Sequence, residues 1–375
     1  MSRQTHRDIK AAVIRSKGAP FVLELARIRE PLANEVLVRI VATGLCHTDL
    51  IVRDQYYPVP LPAVLGHEGA GIVEALGPDV QHLQVGDHVV LTYGHCGHCL
   101  ACDAGHAAYC KDFFPLNFAG GDLQGGCALS DARGELLHDH FFGQSSFATY
   151  ALSRENNAVK VPKEAPLPLL GPLGCGIQTG AGAAINSLKV RPGSSFASFG
   201  AGPVGLSAVL GAQVAGASTV IVVDVVASRL QLAKDLGATH VINSKEVDPV
   251  EAIRTLTGGG VSYALESTGR NTVLTQAAAA LGTLGVLGVV GAPPLGTKAE
   301  FDVNDLLLAG KSIRGIVEGD SVPQKFIPDL VKLHLQGRFA FDKLVKFYRF
   351  DDINQAVQDS EKGITLKPVL TIGTY

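Results

Sequence analysis

Ser195-Phe-Ala-Ser-Phe-Gly200-Ala-Gly-Pro-Val-Gly205 is the stretch on which the fold turns. Its first five residues read as a buried strand. The glycines that follow, at G-x-G-x-x-G spacing, open a helix expected over residues 204–215. Alone that spacing says little; its context says more. A second strand, Thr219-Val-Ile-Val-Val-Asp224, ends in an acid 19 residues beyond Gly205. Glycines at Gly200, Gly202 and Gly205, with Pro203 and Val204 starting the helix, let backbone approach a pyrophosphate. The helix N-terminus then faces its negative charge. The Asp224 carboxylate can accept hydrogen bonds from the adenosine ribose hydroxyls. A 2′-phosphate there would meet a like charge, so NAD is expected rather than NADP.

Outward from this turn, strands and helices alternate. Helices are expected over 227–236, 249–256 and 272–281, and strands over 240–243, 261–266, 286–291 and 312–317. Such alternation means α/β architecture with a doubly wound parallel sheet. Before about Gly176 the texture differs. Val36-Leu-Val-Arg-Ile-Val41, Gly69-Ala-Gly-Ile-Val-Glu-Ala-Leu76 and Val85-Gly-Asp-His-Val-Val-Leu91 are short strands with Gly/Pro turns, which suggests a β-rich, barrel-like domain. After 317 come helices over 323–336 and 351–363. A last strand, 367–372, is expected to return to the first domain.

Seven cysteines divide into groups. Cys96, Cys99, Cys102 and Cys110 are spaced C-x2-C-x2-C-x7-C, and four soft thiolates that close suit a tetrahedral zinc. That shell has no vacancy, so its role is structural, stapling a loop-rich lobe over 94–137. His95, His98 and His106 then read as exposed bystanders. Cys46 and Cys175 lie far apart, with His67 between them. Cys₂His leaves a fourth position open, the ligand set of a catalytic zinc. A lone cysteine is usually a small hydrophobe. Here the setting argues otherwise: Gly44-Leu-Cys-His-Thr-Asp49 and Gly66-His-Glu-Gly69 are polar islands, and Cys175 sits where the two textures meet. Cys127 is left over.

The chain has 375 residues, 46% hydrophobic and 18% charged, with a formal net charge of −3. No basic stripe points to nucleic acid. The first ten residues are polar and lack the apolar core of a signal peptide. No run approaches the ~20 apolar residues of a membrane span. Thiols kept as metal ligands fit a reducing, cytoplasmic setting better than a disulfide framework.

In their order, Gly66-His-Glu-Gly-Ala-Gly71, the four-cysteine lobe, Gly174-Cys-Gly-Ile-Gln-Thr-Gly180 and the glycine turn resemble the zinc-dependent medium-chain alcohol dehydrogenases, over essentially the whole chain. Within that family Cys46-His-Thr-Asp-Leu50, His140-Phe-Phe142 and Val290-Gly-Ala-Pro293 are most similar to aryl (benzyl) alcohol dehydrogenases. The resemblance implies a GroES-like catalytic domain from residues 1–176 and 318–375 and a Rossmann NAD-binding domain from 177–317. It implies two zincs per chain, a homodimer or homotetramer, and reversible hydride transfer from a primary aromatic alcohol to NAD. Alternatives are an aliphatic or a glutathione-dependent formaldehyde dehydrogenase, for which no cationic pocket set is evident, and a catalytically silent zinc protein, against which all three open-site ligands stand.

By the same resemblance, Cys46, His67 and Cys175 hold the catalytic zinc, Glu68 is an acid able to approach it, and Asp49 orients His67. Thr48 receives the alcohol proton. Thr179, Val290, Gly291 and Ala292 adjoin the nicotinamide, Asp224 and Arg229 the adenosine ribose, and Lys367 the pyrophosphate. Tyr93, Phe141, Phe142 and Val317, with the Ala292 region, line an apolar slot for substrate; the alternative is that the aromatics merely fill core. One departure matters. Many relatives carry a histidine three positions after Thr48, and this chain has Ile51. His47 either ends the proton relay in its place or contacts cofactor phosphate.

Overall fold

The computed structural model describes residues 6–373. They form two compact units. The first runs to Cys175 and takes up Val322–Leu335 and the chain from Asp342 onward; the second comprises Gly176–Ser321 and Gln336–Phe341.

In the first unit, the strand Glu35–Gly44 is the centre. It pairs antiparallel with Glu68–Leu76, with Tyr150–Arg154, and with the late strand Lys367–Thr371. Ala158–Lys160, His88–Leu91 and Val345–Arg349 complete this seven-stranded sheet. A second sheet of five strands runs Ala63–Val64, His6–Ile14, Val22–Arg29, Leu129–Asp131, Leu136–Leu137. Val36, Val38 and Ile40 alternate to one face of the central strand and pack with Val73, Val89 and Leu91. Each such burial contributes roughly 1.5–3 kcal/mol. One pairing register matters most for the site. Gly44 lies opposite Glu68, so Cys46, just past the end of one strand, arrives beside His67, just before the start of the other.

The second unit is a six-stranded, wholly parallel sheet in the order His240–Asn243, Thr219–Asp224, Ser195–Phe199, Val261–Glu266, Leu281–Val289, Ser312–Gly315. That 3-2-1-4-5-6 order is the doubly wound arrangement, with the ligand crevice at the carboxyl ends of its strands. Phe199, Ile221, Val223, Ala264 and Leu287 make its core.

Three expectations need adjusting. The helix expected over 272–281 is Asn271–Ala279, and the next strand starts at Leu281 rather than 286. Val261 faces Leu281 but Tyr263 faces Val286, so Gly282-Thr-Leu-Gly285 is absorbed as a bulge that apolar pattern alone does not announce. Residues 318–321 belong to the second unit, not the first. Glu318 accepts hydrogen bonds from Gln178 Nε2 (3.3 Å) and Thr179 Oγ1 (3.2 Å), and Ser321 Oγ donates to Gln178 Oε1 (2.8 Å). Residues 336–341 also fall with the second unit, where Phe339 and Phe341 pack ring to ring at 5.9 Å. Among the described residues, no helix is long and apolar enough to cross a membrane.

Candidate active site and metal centres

Cys46 caps the helix His47–Arg53, and its N–H donates to Asp49 Oδ2 (2.8 Å). Asp49 is fully buried. Its Oδ1 accepts from Gly66 N–H (3.1 Å) and lies 2.9 Å from His67 Nδ1. A carboxylate at Nδ1 holds the proton there and turns Nε2 inward as a bare lone pair. His67 Nε2 is buried and has no hydrogen-bond partner. Cys175 reaches the same point from a third direction. It follows the turn Gly171–Gly174, which is tied by Thr92 Oγ1 to the Gly174 carbonyl (2.7 Å). A side chain at Gly174 would collide with the Leu91 carbonyl, so only glycine lets the turn come this close.

One ligand atom each from Cys46, His67, Glu68 and Cys175 fall within 4.8 Å of one another. The electrostatics favour a cation. The Cys46 thiol is held well below its usual range, first by the hydrogen bond from Cys175, against burial, and then by Lys367 and His67. Burial lowers the His67 imidazole, but Asp49 and then Cys46 outweigh it and raise it while no cation balances their charge. Those anions are the charges a bound Zn²⁺ would compensate. An orphaned imidazole nitrogen facing two soft sulfurs fits zinc.

Glu68 and Lys367 form a buried ion pair, with Nζ 2.7 and 2.9 Å from the two carboxylate oxygens. Burial raises the Glu68 carboxyl and the Lys367 ammonium works against that rise. Lys367 is 1% exposed. It is therefore placed as the counter-charge of Glu68 and not as the pyrophosphate contact expected of it: a fully buried ammonium already spent on a carboxylate presents nothing to a phosphate. Thr48 is half-buried on the first helical turn, its Oγ1 3.8 Å from Cys46 Sγ. His47 beside it is exposed, and Ile51 is half-buried.

Aromatic rings enclose His67. Phe142 stacks on His67 at 4.5 Å and 27°, and Phe141 meets it edge-on at 5.3 Å and 88°. Phe118 packs on both, at 5.9 and 5.2 Å. Tyr93 is one ring further out, against Phe113 (5.8 Å) and His95 (6.2 Å). Gln144 fastens the segment behind: its Oε1 accepts from Gly69 N–H (3.0 Å) and its Nε2 donates to the His67 carbonyl (2.9 Å). Sequence reasoning missed Gln144, Phe113 and Phe118; no spacing signals them, because their role arises only from contact.

The four-cysteine group is equally convergent. Sγ–Sγ separations are 3.6 Å for Cys99–Cys102, 3.9 Å for Cys96–Cys102 and 4.0 Å for Cys99–Cys110. None is a disulfide. Backbone N–H groups of Cys102 and Lys111 draw Cys99 down to about 6, while burial pushes Cys110 up to about 12. All four can ionise together only around a cation. His98 and His106 are exposed as expected; His95 is half-buried, its Nδ1 3.9 Å from Cys102 Sγ.

In the second unit, Gly200 adopts φ +108°, and a Cβ on Gly205 would strike the Gly200 carbonyl. Nothing lies within 4 Å of the space a Cβ would take on Gly202, at the mouth of the helix Pro203–Val214. That open cradle over free N–H groups fits a pyrophosphate. Asp224 ties the crevice together: Oδ2 accepts from Ala201 N–H (2.7 Å), Oδ1 from Val225 and Val226 N–H (2.7 and 2.9 Å). Arg229 Nε is buried and unpartnered. Val290 and Gly291 N–H both donate to the Glu266 carbonyl (3.0 and 3.1 Å), and Ala292 next to them is exposed. Thr179 is held by Glu318, and Val317, just before it, is half-buried.

The chain matches two family models: an alcohol dehydrogenase GroES-like domain over residues 32–163 and a zinc-binding dehydrogenase domain over 203–334. It is 50% identical to a geraniol dehydrogenase of Castellaniella defragrans over 362 residues, 96% of this chain and 97% of that one. Among solved structures, a benzyl alcohol dehydrogenase from Acinetobacter calcoaceticus superimposes with a TM-score of 0.96 at 65% identity, covering 98% of this chain and all of that one. An alcohol dehydrogenase zinc-binding domain protein from Burkholderia ambifaria does so with 0.98 at 72% identity, over 99% and 100%.

Proposed function

Because the chain belongs to the zinc-dependent medium-chain alcohol dehydrogenases, we propose that it oxidises primary aromatic alcohols to aldehydes, reversibly, with NAD as hydride acceptor. The observation that carries the substrate class is the pair of phenylalanines packed on His67. They give the ligand histidine an apolar, flat-walled surround. Cys46, His67 and Cys175 would hold the catalytic zinc, with Glu68 in reach; Cys96, Cys99, Cys102 and Cys110 would hold the structural one. Bound zinc supplies Lewis acidity toward the alcohol oxygen, and bound nicotinamide supplies the hydride acceptor.

The remaining roles fall to this chain's side chains. Thr48 Oγ1 takes the proton leaving the alcohol and passes it outward. His47, adjacent and exposed, is the group able to release it to solvent in the absence of a histidine at Ile51. Asp49 keeps His67 in the tautomer that ligates. Phe141 and Phe142 exclude water from the reacting oxygen, which strengthens every charge interaction there. Gly200, Gly202, Pro203, Val204 and Gly205 would receive the pyrophosphate, Asp224 and Arg229 the ribose, and Thr179, Val290, Gly291 and Ala292 the nicotinamide end.

Burying a phenyl ring is worth roughly 1.5–3 kcal/mol, and each favourable ring pair ~0.5–1.5 kcal/mol more. Carried into the transition state, this makes kcat/KM for benzyl alcohol at least ~100-fold that for ethanol. A second reading, an allylic alcohol, is favoured by the relative named for geraniol. Rates for benzyl alcohol, cinnamyl alcohol, geraniol and ethanol, each with NAD and NADP, test both. Ethanol used as well as benzyl alcohol removes the aromatic class; geraniol well ahead of benzyl alcohol replaces it with the allylic one. Asp224→Gly should weaken NAD and improve NADP; equal use of both cofactors by the wild type would remove the NAD assignment.

A further inference from the structure

The segment that carries the aromatic pair is held against its own backbone preference. His140 (φ 57°), Phe142 (φ 50°) and Ser145 (φ 53°) are non-glycine residues in the left-handed region, and a bulky side chain there persists only where its surroundings over-determine it. Ser145 provides one anchor: its Oγ accepts from Phe141 N–H (3.0 Å) and donates to the Val64 carbonyl (2.7 Å). Gln144 provides a second, through Gly69 and His67.

The third anchor is ionic. His140 Nδ1 is hydrogen-bonded to Asp139 Oδ1, and Nε2 lies 4.0 Å from Glu35 Oε1. Both carboxylates are fixed from behind. Asp139 Oδ2 accepts from Ala128 and Leu129 N–H (2.6 and 2.7 Å). Glu35 receives the Arg29 guanidinium as a fork (2.5 and 2.9 Å) and Leu32 N–H (2.8 Å). All four side chains are at most 12% exposed. With His140 protonated, two cations and two anions alternate and the buried group is neutral. Burial alone would lower the imidazole, but Asp139 and then Glu35 lift it to about 9. The other ionisable groups around this cluster are Asp122, Cys127 and Tyr150.

We propose that His140 is a positioning residue: pinned between Asp139 and Glu35, it holds the 140–145 turn in the shape that lays Phe142 on the His67 ring, and so sets the preference for a planar alcohol. This rests on the proposed function in one respect, that Phe141 and Phe142 form the wall the substrate meets.

The test uses the zinc-loaded full chain. His140→Asn keeps a residue that tolerates the left-handed conformation but cannot carry the charge; His140→Ala removes both. The first readout is the ratio of kcat/KM for benzyl alcohol over ethanol from pH 6 to 10. In the wild type the ratio should fall as pH passes about 9. In both variants it should be lower by roughly 10–100-fold, the scale of a slight misplacement near the chemistry, and flat with pH. The second readout is NMR of the imidazole rings. His140 should titrate near 9, and His67 should lose the ring-current shift of Phe142 in His140→Asn. Zinc content and the urea midpoint report folding; if His140→Ala does not fold, His140→Asn decides. A folded His140→Asn with the wild-type ratio, pH course and His67 shift overturns the positioning role alone. A wild type with no preference for benzyl alcohol overturns the aromatic reading along with it.

Discussion

The two cysteine constellations are built in opposite ways. Cys96, Cys99, Cys102 and Cys110 are neighbours in sequence, on a lobe of short helical turns and loops with little sheet beneath them. Cys46, His67 and Cys175 are strangers in sequence, brought together by strand register, a capped helix and a glycine turn. In the lobe, a bound ion would be the organising centre, and the fold there would depend on it. In the other group, packing and hydrogen bonds already assemble the donors, and an ion would complete what is in place. On the proposed function, local spacing would mark the staple and long-range pairing the reaction site.

The sharpest way to break this contrast is a pair of serine substitutions. Cys46→Ser should lower turnover by ~10³-fold or more, since Lewis acidity is worth several kcal/mol, while the unfolding temperature changes little. Cys99→Ser should instead lower the unfolding temperature and release zinc from the lobe, because structural zinc binding is itself folding free energy. Metal content by mass spectrometry and calorimetry check both. If Cys46→Ser unfolds the chain as readily as Cys99→Ser, the two sites are not of different kinds.

A chelator sharpens it further. Of the two zincs expected per chain, the one at Cys46, with its open position, should leave first and take activity with it; the four-thiolate one should follow more slowly. Loss of both at one rate would erase the distinction. Asp49→Asn is gentler. It removes the carboxylate that fixes His67, and zinc affinity at that site should fall by about 10–100-fold with the lobe unaffected, as read by competition with a zinc-binding dye.

The smallest effect concerns the ionic cluster behind the aromatic turn. Glu35 is held at about 2, against burial, by Arg29, His140 and Leu32 N–H, below its ordinary 4.5. Its stabilisation is therefore present above pH 4.5 and is lost as pH falls toward 2. His140, raised from 6.5 to about 9, contributes fully below pH 6.5 and loses its part as pH rises through 9. Both contributions are complete only between about pH 4.5 and 6.5. Glu35→Gln should flatten the acid limb of urea midpoints measured from pH 3 to 9.5. An unchanged acid limb would remove this cluster from the stability of the unit.

What was legible in the sequence follows the same division. The parallel sheet read well because each βα step is local: the Gly200 to Gly205 turn and Asp224 carry their own context. The four-cysteine group read for the same reason. Lys367 was misjudged because its partner Glu68 is 299 residues away, and a basic residue on a strand says nothing about which charge it meets. Gln144 and Phe118 have no periodicity or spacing to betray them. Glu318 and Asp320, both left-handed around Gly319, look like an ordinary acidic turn in sequence; the bonds of Glu318 to Gln178 and Thr179, and of Asp320 to Arg314, tie them to the second unit.

The late strand Lys367–Thr371, seated on the central strand Glu35–Gly44, gives the molecule an order in time. A nascent chain can close its parallel sheet on the ribosome, since every strand of the second unit is made before residue 320. The first unit has to wait. Lys367 is made 299 residues after Glu68, on the order of 15–60 s later at ordinary rates of synthesis. Until then the central strand keeps an open edge and the Glu68 carboxylate has no counter-charge. The Cys46, His67, Glu68 and Cys175 group therefore gains its counter-charge only once Lys367 has been made, and a protein stalled short of that point carries a finished parallel sheet while this group is still incomplete.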